Sequence, residues 1–409
     1  MRILLKNANV FNGKENKLYK GMNILIDNNL IVKITKSSDI KSDKGIDIKG
    51  MTLIPGLIDA HTHVSGAAQV DLYQDRLPES YINISSGKAL EEMLMRGFTS
   101  TRDAGGADYG LSLALENKII RGPRLFASSK ALSQTSGHGD FRLRTSGIYE
   151  GTHTTKCGSS ISIICDGVDS VRKIAREQLR NGASQLKIMA AGGVASPTDR
   201  VVNLQFSEEE IKAVVEEAGN AGTYVMAHVY TPEGIMRCVR LGVRSIEHGT
   251  LINDEAARLV RSNNAFVVPT LSVHNIIYEK GETLGFPKES LLKLREIVER
   301  SFESIRIARK NKVELGFGTD LLGSLMEYQL HEFTLRAKGG ETPFETLNSA
   351  TYVNSKLLKM EGRIGVISEG AFADIVAIKG NPLQDISIML DYKQNMPLII
   401  KNGEIVKKL

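Results

Sequence analysis

The sequence predicts an α/β chain, a (β/α)8 TIM barrel with a small β-sandwich domain formed by both chain termini. Three observations support that class. Between about residues 55 and 360, short β-branched runs alternate with amphipathic helical stretches, the pattern of parallel strands joined by crossover helices. The β-type runs number eight: LIDAHTH, FTSTRDAG, RLFASS, QLKIMAA, TYVMAHV, RSIEHG, AFVVPTL and VELGFGTD. Eight repeats over about 300 residues suit a closed barrel better than an open sheet. The two chain ends instead alternate apolar and polar residues between tight turns, so they are assigned together to one domain.

Residues 1–54 form the first part of that domain, with the runs ILLKNANVF, MNILIDNNLIVKIT and GIDIKGMTLIPG and an Asp-Asn-Asn turn in the second. The barrel follows over residues 55–360. Its helices carry start signals: SEEEIKAVVEEAGNAG opens with Ser207 and has Glu210 three positions on, the spacing of a capping box. The stretch from Gly137 to Asp166, rich in Gly, Ser and Thr, reads as a long βα loop over the barrel mouth. Residues 361–409 return to the opening style, with DIVAIKG and PLIIKNGEIVKKL, where an Asn-Gly turn joins two alternating runs.

Composition narrows the class of function. With 42% hydrophobic and 24% charged residues and only 10 prolines in 409, the chain is neither disordered nor collagen-like. A net charge of +5, spread along the chain, gives no basis for a nucleic-acid or membrane partner, and none is expected. Cys157, Cys165 and Cys238 make neither a CxxC pair nor an even set, which fits a reducing compartment. The opening MRILLKNANVFNGKENK lacks the apolar core of a secretory signal, and no apolar run reaches the roughly 18 residues of a membrane span. A cytoplasmic chain that forms a symmetric homo-oligomer is expected.

The chemistry lies in where the metal-binding residue types fall. His61 and His63 are two apart at the end of the first strand, so both imidazoles point to the same side, toward the barrel axis. Such a pair can grip a divalent cation, although His-x-His alone is common by chance. Lys187 interrupts the apolar run QLKIMA. An ammonium pointing into a barrel is costly unless paired or modified, whereas one at the strand edge would snorkel outward. Next to metal, a buried lysine can react with carbon dioxide to give a bridging carbamate. His228 and His248 close strands five and six, where each alone could be a satisfied core histidine, and Asp320 ends strand eight, where it could simply cap a helix. Together these six residue types stand at the carboxyl ends of strands, where barrel active sites lie.

This joint pattern resembles the amidohydrolase superfamily in its binuclear subtype, over nearly the whole chain. The stretches ALSQTSGHGDFR, LKIMAAGGVASPTD, MAHVYTPEG, VVPTL and GFGTDLLG are similar to those of its prolidase-like and Xaa-Arg/Lys-type dipeptidases, the imidazolonepropionase-like amidohydrolases, and more so to the prolidase-like branch. The resemblance implies two divalent metal ions. One would be held by His61, His63, Lys187 and Asp320, the other by Lys187, His228 and His248, with carboxylated Lys187 as the bridge. Imidazole and carboxylate-type oxygen ligands favour zinc. The resemblance also implies that His138 and Tyr230 bind or polarise the substrate, and that Asp320 shuttles the proton. His274, just past strand seven, and Arg200, in the loop after strand four, are further candidates for lining the pocket.

The implied activity is hydrolysis of the amide bond of a dipeptide or N-acyl amino acid that has a free carboxylate and a neutral C-terminal residue such as proline. Hydrolysis of an ochratoxin-like N-acyl phenylalanine, or of Xaa-Arg/Lys dipeptides, is the alternative within the class. Only Asp140 lies beside His138, so no acidic pair for a basic side chain is evident. A mononuclear deaminase would need a His-x-x-Glu arrangement after strand five, but His228 is followed by Val229, Tyr230 and Thr231. A non-catalytic scaffold would have lost ligands, and here all six positions keep ligand types.

Overall fold

A computed structural model of the chain describes residues 1–37, 39–68, 77–142, 161–196, 199–286 and 288–408. His153, Cys157 and most of the expected loop between Gly137 and Asp166 lie outside the described residues.

Both chain ends build one mixed sheet. The amino-terminal strands Arg2–Val10, Tyr19–Asp27, Leu30–Thr35, Lys44–Asp47 and Thr52–Pro55 join the carboxyl-terminal strands Ile375–Ile378, Leu398–Lys401 and Glu404–Lys408. The seam is the antiparallel pairing of Thr52–Pro55 with Ile375–Ile378, in which Leu53 faces Ala377. Ile3, Leu5, Ile24, Ile26, Leu53, Ile375 and Ile400 fill the core of this sheet. Removal of each such side chain from water contributes roughly 1.5–3 kcal/mol. The expected turns hold, with Asn28, Asn402 and Gly403 all at positive φ (53°, 50° and 78°). A Cβ on Gly403 would stand 1.7 Å from the Asn28 carbonyl oxygen, so glycine there lets the two hairpin turns pack directly together.

The barrel strands are Leu57–Thr62, Phe98–Asp103, Arg124–Phe126, Leu186–Met189, Val225–Val229, Ser245–His248, Phe266–Val268 and Glu314–Leu315. Neighbours pair in parallel, in register Met189 to His228 and Val229 to His248. Backbone bonds close the ring at its two seams, among them Ala60 N–H to the Phe317 carbonyl (2.8 Å) and Ser184 N–H to the Ala127 carbonyl (2.7 Å). Buried Asn354 reinforces the first seam, donating to the carbonyls of Ile58 (2.8 Å) and Phe317 (2.9 Å) and accepting from the Phe317 N–H (3.1 Å). The eighth strand is shorter than its apolar run suggests. After Leu315 the chain stays beside the first strand but leaves the ladder, because Asp320 turns back at φ 56° with its N–H on the His61 carbonyl (2.8 Å).

Helices cover the barrel with their apolar stripes inward. Glu208–Asn220 buries Ile211, Val214 and Ala218, and both bonds of the expected Ser207–Glu210 capping box are formed. One expectation needs correction. The segment assigned to an irregular loop ends in a strand, Ser162–Ile164, which pairs in parallel with Ala131–Ser133 at the edge of the barrel sheet. Its β-branched pair, Ile163 and Ile164, was hidden by the polar residues around it.

Candidate metal centre

Six of the eight histidines form one connected set of rings at the carboxyl ends of the strands. His61 neighbours His63 and His248 (centroids 5.5 and 5.0 Å), His248 neighbours His228 and His274 (4.6 and 5.9 Å), and His138 stacks on His228 (4.0 Å). His61 and His63 come from alternate positions of one strand end, as the pleat dictates. His248 would face away from its neighbour Glu247 in a regular strand. Its φ of 68° breaks the pleat, so the Glu247 carboxylate and the His248 imidazole both serve the centre.

His61, His63 and Asp320 offer ligand atoms that all lie within 4.8 Å of one another. Asp320 Oδ1 stands 3.3 Å from His63 Nε2 and 3.5 Å from His61 Nε2, and its Oδ2 lies 4.0 Å from His248 Nδ1. Each imidazole has one nitrogen already engaged by the protein. His61 Nδ1–H donates to Glu247 Oε2 (2.6 Å) and His63 Nδ1–H to the Gly105 carbonyl (2.9 Å). His248 Nδ1 meets Thr270 Oγ1 (2.8 Å), and His228 Nε2 meets the Gly192 carbonyl (3.3 Å). The opposite nitrogen of each ring is left to ligate, which is how outer partners orient metal-bound histidines. His61 Nε2 is buried without a hydrogen-bond partner among the described residues, a cost that a cation at that point removes. The donor set therefore fits a divalent metal with N and O ligands.

Burial favours neutral imidazoles at His61, His228 and His248, while the groups around Asp320 favour its ionised form. Burial lowers His61 to about 4, helped by Lys187, and puts His228 and His248 well below the usual histidine value. His63 moves up because the bond to Asp320 and the charges of Asp320 and Asp103 outweigh burial. For Asp320, His61, His63 and Lys187 overcome burial and hold its carboxyl far below the ordinary range. Lys187, 1% exposed, is pushed down to about 8 by burial despite Glu247 and Asp320. Its ammonium makes no hydrogen bond or ion pair among the described residues.

Substrate-side candidates line the same mouth. Tyr230 stacks on His248 (5.1 Å), and its hydroxyl meets His274 Nε2 at 3.1 Å. His138 Nδ1 contacts Ser196 Oγ (2.9 Å), which in turn donates to Asp199, and its own backbone N–H donates to Gln205 (2.9 Å). A Cβ on Gly193 would come within 2.1 Å of the His138 ring, so the glycine makes room for it. Arg200 stands apart: it is exposed, and its side chain makes no hydrogen bond or ion pair with the cluster among the described residues. His331 is exposed at the start of the helix His331–Lys338. Asp140 forms a bidentate pair with Arg142 (2.6 and 2.7 Å), so its charge is already matched.

Residues 52–406 match the amidohydrolase family. The chain belongs to that family. Among curated relatives, this amidohydrolase is 35% identical to an ochratoxinase of Aspergillus niger over 370 residues, covering 87% of this chain and 75% of that one. A solved prolidase complexed with N-methylphosphonate-L-proline is 42% identical over all of both chains, with a TM-score of 0.95. A solved Xaa-Pro dipeptidase with methionine bound in its active site is 29% identical over all of both chains, with a TM-score of 0.87. The chain is a metal-dependent amidohydrolase acting on C–N bonds, with a His-His-Asp metal site. Among the described residues, no helix is long and apolar enough to cross a membrane.

Sequence reasoning missed the residues behind the ligands. Arg102, fully buried, donates to both oxygens of Glu247 (2.9 and 3.0 Å), which Ser245 also contacts. The signal is weak: Arg102 and Glu247 are charged residues within predicted barrel strands, but their neighbours Thr101, Asp103 and His248 are polar too, so neither stands out as Lys187 does in its apolar run. Thr270 and Glu332, which reach the site through the backbone or a hydroxyl, carry no such mark.

Proposed function

We propose that this amidohydrolase binds two divalent cations, zinc by the nature of its ligands, and hydrolyses a dipeptide or N-acyl amino acid with a free carboxylate and a neutral C-terminal residue. The observation that carries the reading is the convergence of His61 Nε2, His63 Nε2 and Asp320 on one point, with the Tyr230 hydroxyl and His138 on the rim. Lys187, as a carbamate, would extend that set toward the second cation. Its buried ammonium, without a partner among the described residues, would first give up one proton; the free amine then forms the N–C bond to carbon dioxide and a second proton leaves, so a costly cation is exchanged for an anion.

When bound, such cations polarise the scissile carbonyl and make a water acidic enough to attack near neutral pH. Asp320, held ionised, accepts the proton of the attacking water and delivers it to the leaving nitrogen. Tyr230 stays protonated, because burial raises its phenol well above the usual value, so it can donate to an oxygen of the substrate. His274 leaves that donor available. Its Nδ1 is buried without a partner among the described residues, so the tautomer that strands no N–H puts the proton on Nε2, donating to the Tyr230 oxygen. The neutral C-terminal preference is supported by the pairing of Asp140 with Arg142 and by the prolidase likeness. The likeness to an ochratoxinase supports a wider range that includes ochratoxin-like amides.

A library of dipeptides and N-acyl amino acids, including N-acyl prolines and phenylalanines, assayed for released amino acid, tests this reading. Turnover of members with neutral C-terminal residues is expected. Release of ammonia from base analogues, with no amino acid released from any library member, overturns the substrate class and leaves the metal site standing.

A further inference from the structure

We infer that Glu332, on a helix outside the barrel, is a positioning residue for the reaction: it fixes the helix start that carries His274 and, through it, the Tyr230 hydroxyl. The inference rests on the role given above to Tyr230.

Glu332 is fully buried, and its chain neighbours Leu330 and Phe333 belong to the same apolar cluster as Val273, Ile276 and Ile277 of the facing helix. A carboxylate in such a place is expensive, and an apolar side chain of similar size would pack at lower cost. Its partners show what it is used for. Oε2 accepts from the Ser272 N–H and from Ser272 Oγ (both 2.7 Å), and Oε1 accepts from the Leu271 N–H at 3.3 Å. These donors are the free first amides of the helix Leu271–Lys280, whose own N-terminal residue, Thr270, makes no side-chain cap. A remote carboxyl group therefore supplies the acceptors for the capping, at the positive end of the helix.

That helix start is also where the site is held from behind. Thr270 contacts His248 Nδ1 (2.8 Å), and His274, one turn on, contacts Tyr230 (3.1 Å). Among the described residues the His274 ring has no second anchor, since its Nδ1 lacks a partner there. Its direction is then set by where the helix lies, and the helix start lies where Glu332 pulls it. Burial pushes the Glu332 carboxyl up to about 8, offset only in part by Arg336, which lies one turn beyond and is itself paired with Glu341 (2.8 Å).

The test is a double-mutant cycle in the metal-loaded enzyme, with N-acyl-proline as probe. Glu332→Gln keeps the shape but replaces one of the two acceptor oxygens with an NH2 that cannot hold its amide. It should lower kcat about tenfold, in line with a buried donor left without its acceptor, with KM and metal content close to those of the parent. In a Tyr230→Phe background the same substitution should cost nothing further, since its effect passes through the missing hydroxyl. Ser272→Ala, which removes a single donor and leaves no new buried polar group, should repeat the pattern at about threefold and carries the test if Glu332→Gln does not fold. Unchanged kcat with only a lower Tm, or costs that multiply in the two backgrounds, overturns the inference. A Tyr230→Phe enzyme of full activity overturns the Tyr230 role as well, and is recognised without any Glu332 variant.

Discussion

Glu247 Oε2 lies 2.6 Å from Nδ1 of His61, and both residues are buried to 1% exposure or less. Because Arg102 and Ser245 occupy the rest of the carboxylate, Glu247 cannot turn away, and His61 is fixed with its proton on Nδ1 and Nε2 toward the centre. Arg102 and His61 hold Glu247 at about 2 against the effect of burial, so it stays ionised across the working range.

Glu247→Gln should therefore weaken metal binding by about 10- to 100-fold, the usual cost of losing an outer-sphere partner. Competition with a graded series of chelators measures it. An unchanged affinity would show that His61 needs no such orientation.

Asp320→Asn keeps the side-chain volume but removes the base. Turnover at equal metal occupancy should fall by about 10² or more, and an enzyme that keeps its turnover while fully metallated would refute the shuttle role. Exhaustive chelation of the parent enzyme should abolish activity, and elemental analysis should find about two equivalents of metal per chain, as the two-metal mechanism requires.

Lys187→Ala should lose both metal and activity, because the bridging oxygens go with the side chain. Short carboxylates such as acetate or propionate, added at high concentration, should restore part of each. Normal metal content and rate in the variant would remove the carbamate from the scheme.

Cys165 and Cys238 are buried, and burial pushes both thiols up to about 12. At pH 8 neither supplies an appreciable thiolate fraction. Alkylation of the native protein followed by peptide mapping should leave both unmodified, and unfolding should expose them. Rapid native labelling of either would contradict the packing described.

Much of this was legible from the chain because strands obey a two-residue period. His61, His63, Lys187, His228 and Asp320 stand out as polar types where apolar runs end or are interrupted, and the eight-run count fixes how they meet. The remainder depends on contacts that leave no periodic trace. Glu247 precedes His248, and alternation would send the two to opposite faces; only the positive φ of His248 reconciles them. Glu332 lies 60 and 61 positions from the amides it caps, and sits in a helix that reads like any other. Arg200 fails for the opposite reason. A loop beside the site suggested contact, yet loop position alone does not aim a side chain.

The seam of the terminal sheet has a consequence for biosynthesis. Thr52 bonds to the carbonyl of Gly380, 328 positions later, so the strand Thr52–Pro55 leaves the ribosome long before the strand that covers it. At roughly 5–20 residues per second, that interval is on the order of tens of seconds. Throughout it, an apolar sheet edge is open to strand addition from other nascent chains. Yield in the cell should then respond to translation speed and to chaperones that shield strand edges, independently of how stable the finished barrel is.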